Sequence, residues 1–255
     1  VYACTALPMY IAIPLVLIST VILGVLIEKV AYKPLRSAPR MSIMISAIGV
    51  SYLLQNLALY ITGGLNKNYP TIPWISDSIT VFGCVTKRVT VITPILTIVL
   101  VAALVLLIKK TKIGMAMRAS SVDFETSQLM GIKINSVISM TFIIGSFLAA
   151  VGSLLYFTNY QGIVPTSGAM PGLKAFVAAV FGGIGSIPGA VIGAFIIGIC
   201  ESIIKGLDTI LITGGSITEQ IGLATFSDAF TFVLLIVILV FKPTGLFGEK
   251  STDKV

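Results

Sequence analysis

Histidine is absent from this 255-residue sequence. Without it no Ser/His/Asp or Cys/His nucleophile can form, and the commonest metal ligand is missing. Cysteine is nearly absent as well. Cys4, Cys84 and Cys200 make an odd set with no CxxC pair, which argues against a disulfide framework and against a metal site. Cys4 and Cys200 lie in apolar runs and read as small core residues, whereas Cys84 lies in a polar stretch and reads as a free thiol. Charge is scarce too. Only 11% of residues are charged, against about a quarter in an average soluble domain. No GxxxxGK[ST] loop, no HExxH and no paired-carboxylate motif occurs. The expectation is a protein that is not an enzyme and that needs no cofactor and no metal. The sequence opens on Val1 rather than Met, and no charged segment precedes its first apolar run, so a cleaved signal peptide is not read there. It reads instead as a chain that is N-terminally incomplete.

What is present is apolar surface. Hydrophobic residues make up 56% of the chain, and its mean hydropathy is +1.04. The length alone suits one or two soluble domains, but the composition places the chain in lipid. The net charge of +7 raises nucleic-acid binding for a soluble protein. Here the basic residues fall in short stretches between apolar runs, where they encode membrane topology. No nucleic-acid partner is read.

A helix needs about 20 apolar residues to cross a hydrocarbon core. Runs of that kind are Leu7–Ile27, Met41–Thr62, Val91–Ile108, Val137–Thr158 and Phe226–Phe241. Pro94 opens the third in its first turn, where proline is tolerated. The stretch Leu173–Ile204 is too long for one ordinary span, and a Gly/Pro cluster from Gly182 through Gly183, Ile184, Gly185, Ser186, Ile187 and Pro188 to Gly189 breaks it. It reads as two short helices, Leu173–Gly183 and Pro188–Ile204, with a re-entrant hairpin as the competing reading. Either way the freed backbone groups must be buried in protein. The fold class is therefore all-α integral membrane, a polytopic helical bundle of about seven visible segments, two of them short around the break.

Most of the 17 basic residues lie in three places. Segment 28–40 holds Lys29, Lys33, Arg36 and Arg40, segment 109–136 holds Lys109, Lys110, Lys112, Arg118 and Lys133, and the tail holds Lys242, Lys250 and Lys254. The positive-inside rule makes these cytoplasmic and puts 63–90, 159–172 and 205–225 outside. The expected location is the bacterial cytoplasmic membrane, multi-pass, with a cytoplasmic C-terminus. In the external loop 63–90, β-branched residues flank Gly83, Ser78–Phe82 on one side and Arg88–Val91 on the other, which suits a small hairpin. Trp74, near Pro70 and Pro73, reads as an interface marker or as loop packing.

Two small-residue patterns concern packing. Gly145, Ala149 and Ser153 recur along the fourth run beside Gly152, and Gly189 with Gly193 and Ala190 with Ala194 recur after the break. Such faces let helices approach closely in lipid. In the second run Ser42, Ser46, Gly49 and Asn56 share one narrow sector at about 100° per residue, with Ser51 and Gln55 opposite. That stripe is a candidate translocation path or a set of interhelical hydrogen bonds. No Asp, Glu, Lys or Arg lies in the middle of a span, and Lys174, Glu201 and Asp228 sit near segment ends as interfacial residues. Ion-driven transporters usually carry ionisable groups in the membrane, so the energy source is expected in another subunit.

Segment Ile108–Val137 is the longest cytoplasmic loop. Ser121 or Asp123 suits a helix cap, Val122, Leu129 and Met130 give one apolar side, and Gly131 suits a helix stop. A short helix of this kind docks in a partner's groove or lies on the membrane surface.

Several stretches resemble the permease subunit of bacterial ABC importers for branched-chain amino acids. Glu28-Lys29-Val30-Ala31-Tyr32-Lys33-Pro34-Leu35-Arg36 is similar to that family's ERVAYRPLR-like loop, and Ile45–Asn56 to the helix after it. Arg118-Ala119, Asp123 and Gly131-Ile132 match its coupling-loop pattern RAxxxDxxxAxxxGI, with Ser127 where the family has a small Ala. Lys174-Ala175-Phe176 through Gly182–Ala190 matches a KAFxAAVxGGIGSIPGA-like stretch, and 242–248 a PTGLFG-like end. The family's first membrane helices have no counterpart. The resemblance implies a single permease domain over 1–255 that works by alternating access. Its implied partners are two ABC ATPase subunits, a second permease subunit in a hetero- or homodimer, an extracytoplasmic solute-binding protein and the lipid bilayer. It implies an ATPase-coupling role for Arg118, Ala119, Asp123, Glu125, Ser127, Gly131 and Ile132. Helix break and packing fall to Gly182, Gly183, Gly185, Pro188 and Gly189. The alternatives are a permease for urea, amides or another small solute, and a channel or non-transporting membrane scaffold, since fold does not fix substrate.

Overall fold

Long apolar runs form helices in this chain because a helix satisfies its own backbone polar groups where no water can. The computed structural model describes residues 9–35, 40–68, 77–81, 84–160, 162–183, 185–213, 223–242 and 245. The expectations for Cys4, Arg36, Pro70, Pro73, Trp74, Phe82, Gly83, Ile184, Lys250, Lys254 and the end at 243–244 and 246–248 lie outside the described residues. Five helical stretches are long and apolar enough to cross a membrane: Ile11–Tyr32, Ile45–Thr62, Arg88–Lys110, Ile134–Asn159 and Ile187–Leu207. Two shorter apolar helices, Ala169–Gly182 and Phe226–Ile238, bring the described segments to the expected number. The fold is a polytopic helical membrane protein, and its described residues divide into two compact units, Val1–Thr166 and Ser167–Val255.

In the first unit, helix α1 (Met9–Ile27) runs into a π turn at Glu28–Tyr32, closed by the Lys33 N–H donating to the Glu28 carbonyl at 2.9 Å. Helices α2 (Arg40–Thr62), α3 (Arg88–Lys110), α4 (Lys112–Val122), α5 (Phe124–Leu129) and α6 (Ile134–Asn159) follow. The principal packing seam joins α1 to α6, with Ala12, Ala150, Thr158 and Glu28 all buried. A Cβ at Gly24 would overlap the Ser146 hydroxyl, so this seam closes only over glycine. Helix α2 packs against the π turn, and no residue of Ile45–Thr62 is buried.

The expected hairpin is present as β2 (Ser78–Val81) and β3 (Cys84–Lys87), antiparallel with Ser78 opposite Lys87 and Val81 opposite Cys84. The second strand ends four residues earlier than the β-branched pattern suggests. Arg88–Val91 already belongs to α3, where Val89 is buried and the Thr93 hydroxyl donates to the Val89 carbonyl at 2.7 Å. Pro94 consequently lies inside the helix rather than in its first turn. A second pair, β1 (Lys67–Asn68) with β4 (Gly162–Ile163), ties the end of α2 to the end of α6.

The second unit holds α7 (Ala169–Gly182), α8 (Ile187–Thr213) and α9 (Leu223–Phe241). Val177, Ala178, Phe181 and Ile197 form its buried core, covered by Phe232, Leu235 and Ile238 of α9. At 14 residues, α7 is about 21 Å long, short of a hydrocarbon core of about 30 Å. The helix after the break is not short. It continues past Ile204 to Thr213, and Glu201 pairs with Lys205 one turn on along it.

Candidate functional site

The α4–α5 segment is built from polar capping residues. Thr111 reverses the chain after α3: its hydroxyl accepts from the Gly114 N–H at 3.1 Å and donates to the Leu107 carbonyl at 2.6 Å. Gly114 is buried, and a Cβ there would overlap the backbone of Ile108. Arg118 reaches back to the Lys109 carbonyl at 3.4 Å, satisfying the end of α3. The short helix expected from Ser121 or Asp123 to Gly131 is α5, and Ser121 belongs instead to the last turn of α4. Ser121 is no cap, since its hydroxyl donates to the Arg118 carbonyl at 2.7 Å. Asp123 caps instead: its Oδ1 accepts from the N–H groups of Glu125 at 2.9 Å and Thr126 at 3.3 Å. Its own φ of −153° and ψ of 118° place it in extended backbone between the helices, as an N-cap requires.

The C-terminal end of α5 is equally defined. Gly131 has φ +84°, the Ile132 N–H donates to the Ser127 carbonyl at 3.1 Å, and the Gly131 N–H to the Gln128 carbonyl at 3.0 Å. That pair of bonds is a Schellman motif, and its left-handed residue favours glycine. Ser120 and Ser127 are buried, on the side of α4–α5 that packs on the protein, while Val122 is 79% exposed, Leu129 88% and Met130 79%. The apolar edge therefore points away from the protein. Phe124, 55% exposed, extends that edge and was not anticipated from the pattern. Ala119 is exposed, and its carbonyl accepts from the Asp123 N–H at 3.4 Å. Arg118, Asp123 and Glu125 are exposed and Ile132 is half-buried.

The stripe on α2 is a different case. Ser42 and Ser46 are half-buried, and Gly49 and Asn56 are exposed. Asn56 donates to its own helix at the Tyr52 carbonyl, 2.8 Å away, and a Cβ at Gly49 would meet nothing. The four residues share a side of one helix.

The break residues converge. A Cβ at Gly182 would overlap the Gly189 carbonyl, and one at Gly193 would come within 2.7 Å of the Ala178 carbonyl. Gly183 and Gly185 turn the chain at φ +105° and +100°. The Ser186 hydroxyl accepts from the Gly189 N–H at 3.2 Å, capping α8 with Pro188 in its first turn. Gly145 and Gly152 on α6 differ, because a Cβ at either would meet nothing within 4 Å.

Sequence reasoning missed how the charged residues of the second unit combine. Lys174 of α7 lies 2.8 Å from Glu201 of α8 and 2.6 Å from Asp228 of α9, and Lys205 also pairs with Glu201. Lys174, Glu201 and Asp228 were each read as separate interfacial residues, and Lys205 fell in the external segment 205–225. Their spacing carries no long-range signal, and only the presence of matched opposite charges in an otherwise apolar stretch hinted at pairing. Glu28 was missed too. Placed in a loop by its position after an apolar run, it is 1% exposed.

Residues 1–239 match the family model described as branched-chain amino acid transport system / permease component. The chain belongs to that family. This permease is 36% identical over 242 residues to the high-affinity branched-chain amino acid transport system permease protein BraD of Pseudomonas aeruginosa, covering 94% of this chain and 74% of that protein. It is 37% identical over 232 residues to the corresponding permease protein LivH of Escherichia coli, covering 90% of this chain and 71% of that protein. A more distant relative is the ribose import permease protein RbsC of Haemophilus influenzae, 27% identical over 212 residues, 79% of this permease and 62% of that protein. No solved structure matches.

Proposed function

We propose that this permease is the membrane-spanning subunit of an ATP-driven importer that moves branched-chain amino acids across the bacterial inner membrane by alternating access. The observation that carries it is the α4–α5 segment: a short helix fixed at both ends, buried on one side through Ser120 and Ser127, and presenting Val122, Phe124, Leu129 and Met130 outward. An exposed apolar edge on a rigid helix is the form that docks in a groove of another protein. The partner is a separate ATPase subunit, which holds this segment at the cytoplasmic face and moves it during its nucleotide cycle. A second permease subunit completes the path, an external solute-binding protein delivers the amino acid, and the C-terminus is cytoplasmic. Ser42, Ser46, Gly49 and Asn56 on α2 line the path in that assembly.

The test is uptake of radiolabelled leucine by proteoliposomes holding the permease with its ATPase and permease partners, supplied with the binding protein and internal ATP. Leu129→Arg is expected to lower uptake at least tenfold with the amount of permease in the membrane unchanged. Uptake that survives this change sinks the docking role of α5. A second reading, import of another small solute, is favoured by the ribose-importing relative. Competition of leucine uptake by a hundredfold excess of isoleucine and valine, but not of ribose or urea, separates the two.

A further inference from the structure

Glu28 is a carboxylate with 1% of its surface exposed, at the end of the span formed by α1 and the π turn. Burying such a group is costly, so it calls for a physical reason. Its Oε2 accepts a hydrogen bond at 3.0 Å from the Ser139 hydroxyl, in the second turn of α6. The contact lies in a zip of matched positions: Gly24 faces Ser146, and the Tyr32 ring lies 5.1 Å from the Phe142 ring. Helix α6 begins directly after the Schellman turn that ends α5, and both α4 and α5 pack against it. The carboxylate side of the joint is a π turn that follows α1, a backbone irregularity frequent at functional sites.

We infer that Glu28 is a positioning residue for coupling: through Ser139 it makes the end of α1 follow the start of α6, so that displacement of the α4–α5 segment reaches the first span. This rests on the proposed function only in assigning the force on α5 to an ATPase. The hydroxyl is the linking element. Without it the two helices still pack through Gly24 and Tyr32, but their ends at this joint lose the directional bond from Ser139 to Glu28.

The experiment compares Ser139→Thr with Ser139→Val in the assembled transporter in nanodiscs. The two side chains have nearly the same shape and differ in the hydroxyl. Hydrogen exchange of residues 24–35 is measured with and without ATP, alongside ATPase activity with and without binding protein, and leucine uptake is measured in proteoliposomes. Expected for Ser139→Val is resting ATPase within twofold of wild type, with the ATP-dependent exchange change at 24–35 lost. Stimulation by the binding protein and leucine uptake fall at least fivefold. Ser139→Thr restores all three. An unchanged nucleotide response in Ser139→Val overturns the inference. So does a loss of assembly in Ser139→Val alone, which marks a merely structural bond. If neither β-branched variant assembles, Ser139→Ala is measured by the same readouts. A wild-type complex that takes up no leucine but shows a Ser139-dependent response to ATP removes the substrate reading and leaves this inference standing.

Discussion

The two units handle polar groups and close approach in opposite ways. In Ser167–Val255, α7 and α8 touch through bare backbone at the Gly182–Gly189 break, and a charge-balanced quartet of Lys174, Glu201, Asp228 and Lys205 joins α7, α8 and α9 farther along. In Val1–Thr166, one glycine-closed seam holds α1 to α6, while α2 has no buried residue from Ile45 to Thr62. The second unit is held at the break and again at the charged quartet. The first packs α1 on α6 and leaves large apolar sides to lipid or to another chain. In lipid, apolar contact alone gives helices little reason to prefer each other, so small residues and satisfied polar groups mark where a permease is firm. Their scarcity marks where it is open to partners or to motion.

The sharpest way to break this comparison is to add one methyl group to each unit. Gly182→Ala forces a Cβ onto the Gly189 carbonyl and is expected to lower the unfolding midpoint of the detergent-solubilised protein by about 5–10 °C, an overpacking cost near 3 kcal/mol. Gly152→Ala on α6, where a Cβ meets nothing, is expected to stay within about 0.5 kcal/mol of wild type. Equal losses would erase the distinction between the units. Next in size is Lys174→Met, which leaves the Glu201 and Asp228 carboxylates without their shared cation. The groups are partly exposed, so a loss of about 2 kcal/mol is expected, between exposed-pair and buried-pair values. Adding Asp228→Asn should recover part of it, measured by the same thermal melt.

Smaller effects are expected in the α4–α5 segment. Asp123→Ala removes the α5 cap at a cost of about 1 kcal/mol, read as faster amide exchange over 124–129, and Asp123→Asn should keep the slow exchange. Gly131→Ala places a Cβ on a residue at φ +84° and should cost about 1 kcal/mol in the same measurement. Smallest for stability is Leu129→Ala: at 88% exposure the side chain contributes within about 0.5 kcal/mol to folding. Its effect should fall on leucine uptake instead, and a melting shift without a transport defect would place Leu129 in the permease's own packing.

Much of the architecture was legible because lipid solvation acts on runs of residues. Leu7–Ile27 and Val137–Thr158 announced α1 and α6 by length and hydropathy, and the Gly182–Gly189 cluster announced the turn before α8. The ends were less legible. Arg88–Val91 looked like strand from its β-branched residues, but Val89 is buried and the segment joins the helix that follows. In the α4–α5 segment Asp123 and Gly131 were visible, because capping is local chemistry. The choice between Ser121 and Asp123 was not, because both offer an oxygen at nearly the same place, and the surrounding backbone decided.

The sequence by itself determined that this chain lies in a membrane, has about seven apolar segments and carries no catalytic constellation of histidine. Each of these follows from composition or from runs of neighbouring residues. Only the tertiary structure decided that Glu28 is buried against Ser139, that Lys174 holds two carboxylates from different helices, and that the Gly145 and Gly152 side of α6 stays open. Those facts depend on which residues meet across helices far apart in the chain, and helical periodicity says which side a residue takes without saying what stands opposite.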